Sequence, residues 1–320
     1  MTRKAIVTGA AGFVGSNLVD HLLEKNWKVI GLDNLITGQK RFLKKARQNS
    51  KFEFIEVDLY TSNKIGEILE GNETVFHLAA NADVRFGPDH PSRDLEQNVL
   101  VTHRILEAMR QVNVKNIVFS STGSVYGEAG IVPTPENAPF PIQNSLYGAS
   151  KLACEALIEA YCESFGMKSW IFRFVSILGP RYSHGHVYDF IKQLRADSSK
   201  LKILGNGHQN KSYLHVEDCI LGIELALESF KDPVNVINLG NFGTCSVRDS
   251  LKWIIEELNV NPVISYGIED RGWIGDSPLI HLATDKISST SWSPKWNIES
   301  SVRDTVKYLQ SNDWLFSDEN

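Results

Sequence analysis

The run Thr8-Gly9-Ala10-Ala11-Gly12-Phe13-Val14-Gly15 follows the apolar tripeptide Ala5-Ile6-Val7 and precedes an amphipathic stretch from Ser16 to Lys25. The order reads strand, glycine turn, helix. A helix start leaves backbone N–H groups unpaired and carries partial positive charge, so this junction can hold a pyrophosphate without a Lys or Arg. Gly9 and Gly12 permit a tight turn and a close approach to phosphates, and Gly15 lets the helix pack on the strand. The spacing G-x-x-G-x-x-G is one residue wider than the usual dinucleotide fingerprint, and a simple capping turn would also use glycine.

The next strand pattern, Lys28-Val29-Ile30-Gly31-Leu32, ends in Asp33, eighteen residues beyond Gly15. A carboxylate there accepts hydrogen bonds from adenosine ribose hydroxyls and repels a 2′-phosphate, which favours NAD over NADP. Asp33 with Asn34 could instead cap a turn. The glycine run at the expected distance upstream decides for the cofactor.

Strand-like runs recur at 4–7, 28–32, 52–57, 74–79, 116–120, 169–174 and 234–239, with helical periodicity between most of them, as in Val99–Val112 and Ser150–Phe165. This alternation predicts an α/β fold, a Rossmann-like doubly wound parallel sheet with a smaller C-terminal substrate-binding domain. Residues 1–174 plus 233–260 are expected to form the NAD-binding domain, with Val234–Leu239 and Ser246–Leu258 returning to the sheet. Residues 175–232 plus 261–320 are expected to cover the substrate. The net charge of −5 offers no overall attraction to nucleic acid. No apolar run is long enough for a membrane helix, and the N-terminus enters a strand at once, which predicts a cytoplasmic chain. Cys154, Cys162, Cys219 and Cys245 form no C-x-x-C pair and suit buried thiols.

The fifth strand runs into Ser120-Ser121-Thr122-Gly123-Ser124-Val125-Tyr126-Gly127, and Tyr147-Gly148-Ala149-Ser150-Lys151 follows. Tyr147 and Lys151, four apart at a helix start, share one face. A phenol ionises near pH 10, so a base working at neutral pH needs about 4 kcal/mol of differential stabilisation of phenolate. A Lys ammonium and a cationic nicotinamide could supply it. Thr122 would then hold the alcohol being oxidised. Tyr60 with Lys64 and Tyr188 with Lys192 repeat the spacing, but only Tyr147 follows a strand ending in hydroxyls and opens a strong helical stretch.

Taken together, Thr8 to Gly15, Asp33-Asn34, Asp58-Leu59, His77-Leu78-Ala79-Ala80, Asn98, Ser120 to Gly127, Tyr147 to Lys151 and Gly179-Pro180-Arg181 resemble the extended short-chain dehydrogenases/reductases of the nucleotide-sugar epimerase/dehydratase family, most closely the UDP-glucose 4-epimerase branch. The resemblance implies Thr122, Tyr147 and Lys151 as the catalytic set. It implies Gly9, Gly12, Phe13, Val14, Gly15, Asp33, Asn34, Asp58, Leu59, Leu78, Ala79, Ala80, Asn98 and Ser120, with Tyr147 and Lys151, around NAD. Ser176, His186, Lys211, Tyr213 and Arg271 are implied, beside Thr122, for a nucleotide-diphosphate sugar. A homodimer through a four-helix bundle is also implied.

Similar 4,6-dehydratases carry Asp-Glu after the threonine, because elimination needs its own acid and base. Gly123 and Ser124 stand there instead, which leaves hydride chemistry at C4. Ser176 replaces a usual Asn, His186 stands in an Asn-Val-Ile-Pro-like segment, and Lys211 replaces an Arg, so the phosphate grip loses a bidentate fork. His184, His186 and Asp189 form no expected metal site, and His77 is expected to be packed in the core. C4 epimerisation leads; a 4-dehydrogenase releasing the keto sugar uses the same residues, and a non-catalytic NAD sensor fits less well.

Overall fold

The computed structural model describes residues 2–81, 85, 87–140 and 142–317. The apolar runs form one seven-stranded sheet. Its strands are β1 (Lys4–Thr8), β2 (Lys28–Asp33), β3 (Phe52–Glu56), β4 (Thr74–His77), β5 (Asn116–Thr122), β6 (Lys168–Phe174) and β7 (Val234–Leu239). They lie in the order β3-β2-β1-β4-β5-β6-β7, and every neighbouring pair is parallel. The order reverses between β1 and β4. In such sheets the crevice for ligands opens beyond the carboxyl ends of these strands.

Both faces are apolar because successive side chains point to opposite sides. Ala5, Val7, Val118, Trp170 and Phe172 join one core cluster, while Ile6, Ile117, Phe119 and Ile171 join the other. The helix α1 (Phe13–Glu24) contributes Leu18, Val19 and Leu22 to the first. Helices Val101–Gln111 and Leu146–Phe165 contribute Ile105, Leu106, Cys154 and Ile158 to the second. All four cysteines are free and buried. Among the described residues no helix is long and apolar enough to cross a membrane.

After β6 the chain builds three small sheets, such as Ser176–Leu178 with Tyr213–His215 and Asn210–Lys211 between Cys245–Ser246 and Leu279–Ile280. Val234–Leu239 pairs with β6 as its pattern predicts. The helix Val247–Leu258, expected on the sheet, packs instead along Ile298–Gln310, because its Leu251 and Ile254 meet the apolar face presented by Val302, Val306 and Leu309.

A buried ion pair ties the helix Leu146–Phe165 to the sheet. Arg173 on β6 donates to Glu155 from Nη2 at 2.7 Å and from Nε at 3.1 Å, and Ser121 on β5 also donates to that carboxylate. Arg173 Nη1 reaches the Tyr126 hydroxyl at 2.6 Å and the Glu136 carbonyl at 2.9 Å. Removing one partner leaves the other charge buried without compensation. Glu155→Ala is therefore expected to lower stability by about 3–5 kcal/mol, read from urea unfolding midpoints.

Candidate active site

The cradle at the switch point is built from missing side chains. Gly9 lies at φ +68°, and a Cβ on it would stand 2.8 Å from the Ala79 nitrogen. A Cβ on Gly15 would stand 2.0 Å from the Gly9 carbonyl oxygen, so only glycine admits this approach of α1 to the turn. Gly12 caps α1 without a side-chain hydrogen bond, and the first turn holds no acidic residue. Its N–H groups thus face the cleft with their partial positive charge, which suits a pyrophosphate.

The ends of β1 and β4 are locked together beneath this cradle. The Thr8 hydroxyl accepts the N–H groups of Leu78 and Ala79, each at 3.1 Å. Its own proton is thereby directed to His77 Nδ1 at 2.8 Å, so His77 carries its proton on Nε2 and donates to Thr102 Oγ1 at 3.0 Å. Burial and the Lys151 charge hold His77 down to about 3. The imidazole stays neutral in the core.

Asp33 accepts from the Ala11 N–H at 2.9 Å through one oxygen and from the Leu35 N–H at 2.8 Å through the other. Burial raises its pKa and these backbone donors oppose that rise. The carboxylate is fixed at the end of β2 on the wall of the cleft. Asp58 accepts the N–H groups of Tyr60 and Thr61 and a bond from Asn34 Nδ2 at 3.3 Å, so it shapes the turn that presents Leu59 to the cleft.

The cleft has a volume of about 1020 Å³. It brings together the expected Gly9, Gly12, Phe13, Val14, Gly15, Asp33, Asn34, Leu59, Leu78, Ala79, Ala80, Ser120, Thr122, Tyr147, Lys151, Ser176, His186, Lys211 and Tyr213. Asp58, Asn98 and Arg271 do not line it. Asn98 is buried beneath, where Oδ1 accepts the Asn81 N–H at 2.8 Å and Nδ2 donates to Ser150 Oγ at 2.8 Å. Arg271 turns outward to an exposed ion pair with Glu128.

Tyr147 and Lys151 stand on one face of the helix Leu146–Phe165, whose start is capped by Ser145 accepting the Gly148 N–H at 3.0 Å. The Tyr147 phenol and Thr122 line the same cleft, and Thr122 favours ionisation of the phenol. Thr122 is itself set by Ser124, whose N–H it accepts at 3.1 Å and whose hydroxyl it reaches at 3.2 Å. Burial raises the phenol's pKa well above its ordinary value, the Asp94 charge adds to this, and Thr122 opposes it. Lys151 donates to the Ser120 carbonyl at 2.8 Å and lies 4.7 Å over the Phe119 ring. Burial pulls its pKa down to about 8. The phenol is held neutral here.

The far half of the cleft is also internally paired. Lys211 meets Asp276 at 2.5 Å and lies 4.8 Å from the Trp273 ring centre. His186 bonds Ser250 Oγ at 2.8 Å and is held down to about 3 by burial and the Lys211 charge. Asp189 pairs with Arg85 at 2.9 Å, so His186 and Asp189 serve different partners. Of the two competing Tyr-x-x-x-Lys pairs, Tyr188 donates to the Leu315 carbonyl at 2.8 Å and stacks on Phe316, and Tyr60 packs against the second core cluster. Sequence reasoning gave Ser124 no positioning role, and Gln209 and Trp273, which fall in the segments 205–218 and 271–276 that the resemblance implies for the nucleotide diphosphate, also line the cleft.

Lys151 makes a test of these electrostatics without any ligand. Its folded pKa of about 8 lies below the unfolded value of 10.5, so the unfolded chain binds the extra proton between them. Relative to Lys151→Met, the unsubstituted chain should gain about 3 kcal/mol of stability as pH rises from about 8 to about 10.5. Denaturant unfolding at stepped pH measures it, and a flat difference would contradict the burial of a charged amine.

Residues 5–240 match the NAD dependent epimerase/dehydratase family. The chain is 36% identical over 320 residues to a UDP-glucose 4-epimerase of Mycolicibacterium smegmatis, covering 96% of this chain and 99% of that protein. Among solved structures, a UDP-galactose 4-epimerase superimposes with a TM-score of 0.87 at 35% identity, covering 97% of this chain and 100% of that one. A UDP-glucuronic acid 4-epimerase from Bacillus cereus, in complex with UDP-glucuronic acid and NAD, gives 0.89 at 28% identity, with 96% and 99% covered. A strand-turn-helix cradle, an acidic strand end and a Thr-Tyr-Lys cluster in one cleft thus accompany a match along nearly the whole chain: it belongs to the NAD-dependent epimerase/dehydratase family.

Proposed function

We propose that the chain inverts C4 of a UDP-linked hexose through a 4-keto intermediate, with Tyr147 as the base. The observation that carries this reading is that Tyr147, Lys151 and Thr122 line one cleft, with Gly123 and Ser124 after Thr122 where an eliminating enzyme needs a carboxyl pair. The relatives' names supply the nucleotide and the carbon.

The residues fit NAD on structural grounds, since Gly9 and Gly15 let the turn and α1 close up at the switch point and α1 presents open N–H groups. Asp33 takes the adenosine ribose, and Leu59, Leu78, Ala79 and Ala80 enclose the remainder, with Asp58 and Asn98 acting from beneath. When bound, NAD would supply a hydride acceptor for C4 and a positive charge that favours phenolate. Thr122 holds the C4 hydroxyl; Tyr147 removes that proton and later gives it back. Lys151 adds positive charge and fixes Ser120. Ser176, His186, Lys211 and Tyr213 line the half that takes the UDP group, and Arg271 can exchange the exposed Glu128 for a phosphate, because a surface ion pair holds weakly. Return of the hydride to the opposite face requires the sugar to turn, for which a cleft of about 1020 Å³ leaves room.

This reading assigns residues 1–174 plus 233–260 to the cofactor and 175–232 plus 261–320 to substrate, with the helix Val247–Leu258 packed on the substrate side. Leu95, Leu100, Leu146 and Phe165 lie exposed on neighbouring helices, which supports pairing of two copies through them. Tyr147→Phe is expected to lower turnover by about 10³-fold while NAD remains bound. Incubation with UDP-glucose, UDP-galactose and UDP-glucuronate without added cofactor, followed by NMR, reads the product configuration. Undiminished isomerisation by Tyr147→Phe would remove Tyr147 from the chemistry.

A further inference from the structure

A second cavity lies apart from the cleft and shares no lining residue with it. Its volume is about 640 Å³, within the range of small-molecule sites. The helical turns Lys40–Leu43 and Ala46–Gln48, which touch α1, form one wall. The end of the helix Ile298–Gln310 and the turn Asp313–Phe316 form the other. Aromatic contacts fasten the two walls: Phe42 meets Trp314 edge-on with ring centres 5.6 Å apart, and the Arg41 guanidinium lies 4.9 Å from the Trp314 ring centre.

The lining has one sign of charge. Arg41, Lys44, Lys45 and Arg181 all line the cavity and no carboxylate does, although the chain carries a net charge of −5. Lys45 pairs with Glu24 and Arg181 with Asp20, both carboxylates on α1, so the charges of Arg41 and Lys44 stand in excess.

Arg181 is the built part of this surface. It sits at φ +73°, a left-handed backbone that a non-glycine residue rarely adopts, and its side chain is only 17% exposed. Asn17 on α1 donates to the preceding carbonyl, that of Pro180, at 3.1 Å, which pins the turn. Arg181 Nη2 meets Asp20 Oδ2 at 2.5 Å, a single-point contact. Arg181 Nη1 and Asp20 Oδ1 are both buried and without a hydrogen-bond partner among the described residues. A guanidinium ordinarily grips an anion through two nitrogens, and a buried donor left without an acceptor is costly. Such a fork is completed when an anion brings the missing acceptor.

We propose that this cavity is a second anion site, which takes a small molecule through its phosphate group by means of Arg181, Arg41 and Lys44. Phosphate fits because it is compact, matches the guanidinium fork, and brings more than one negative charge to the two cations in excess. The site is separate from the cofactor and substrate cleft, and it does not rest on the reaction assigned to Tyr147.

Calorimetric titration of inorganic pyrophosphate into the NAD-saturated chain at low salt tests it. One site per chain is expected, and Arg41→Glu and Lys44→Glu, both at exposed positions, should each weaken it at least about tenfold. Lys211→Met, which alters the cleft, should leave that affinity within about twofold. Glucose 1-phosphate, titrated in the same way, separates a phosphate ester from a free diphosphate, and binding of either with this pattern of variants supports the site. Absence of heat up to about 10 mM of both probes overturns the proposal. So does binding that Lys211→Met weakens while Arg41→Glu and Lys44→Glu leave it unchanged, since the anion then sits in the cleft. Should either Glu variant fail to fold, Arg41→Gln and Lys44→Gln are read in its place, with weakening of at least about threefold expected.

Discussion

The constraint on which the site depends is the approach of α1 to the end of β1. A Cβ on Gly15 would fall 2.0 Å from the Gly9 carbonyl, so the helix reaches its place only because that atom is missing. From this contact follow the direction of the first helix, the aim of its open N–H groups and the width of the crevice between β1 and β4. The Thr8 hydroxyl completes the arrangement by taking two N–H groups from the opposite strand and giving its proton to His77. Backbone donors thereby face the crevice with the partial positive charge of a helix start, which suits a pyrophosphate.

Much of the main sheet was legible because its strands are buried on both faces and read as continuous apolar runs. All seven runs became its seven strands. The small sheets were not legible, since strands of two or three residues such as Asn210–Lys211 and Cys245–Ser246 carry no periodicity and exist only through distant partners. Helix Val247–Leu258 shows a related limit. Its amphipathic pattern announces a helix with one apolar face and is silent on which surface that face meets.

In the site, most of the residues named from the sequence line one cleft, and some of their relations were not foreseen. Tyr147 was separable from Tyr60 and Tyr188 by what precedes it, and the structure gives Tyr188 an unrelated task, holding Leu315. Asp58 and Asn98 lie beneath the cleft wall, because their side chains are occupied by turn N–H groups and by Ser150. Arg271 faces outward to Glu128, a partner 143 residues away that no local pattern links to it. The ammonium of Lys151, expected near the phenol, is bound to the Ser120 carbonyl, and burial works against ionisation of both groups. Such effects depend on desolvation, which the order of residues does not encode.

His77 and His186 are both kept uncharged by their surroundings, one at the strand junction and one in the opposite half of the molecule. Each takes up a proton readily once the chain unfolds, near the ordinary imidazole range, yet resists it in place until about pH 3. Acidification therefore leaves the wiring of both imidazoles untouched while it steadily favours the unfolded chain. In a souring compartment these two rings would erode the persistence of the enzyme and leave the shape of its surviving copies unchanged.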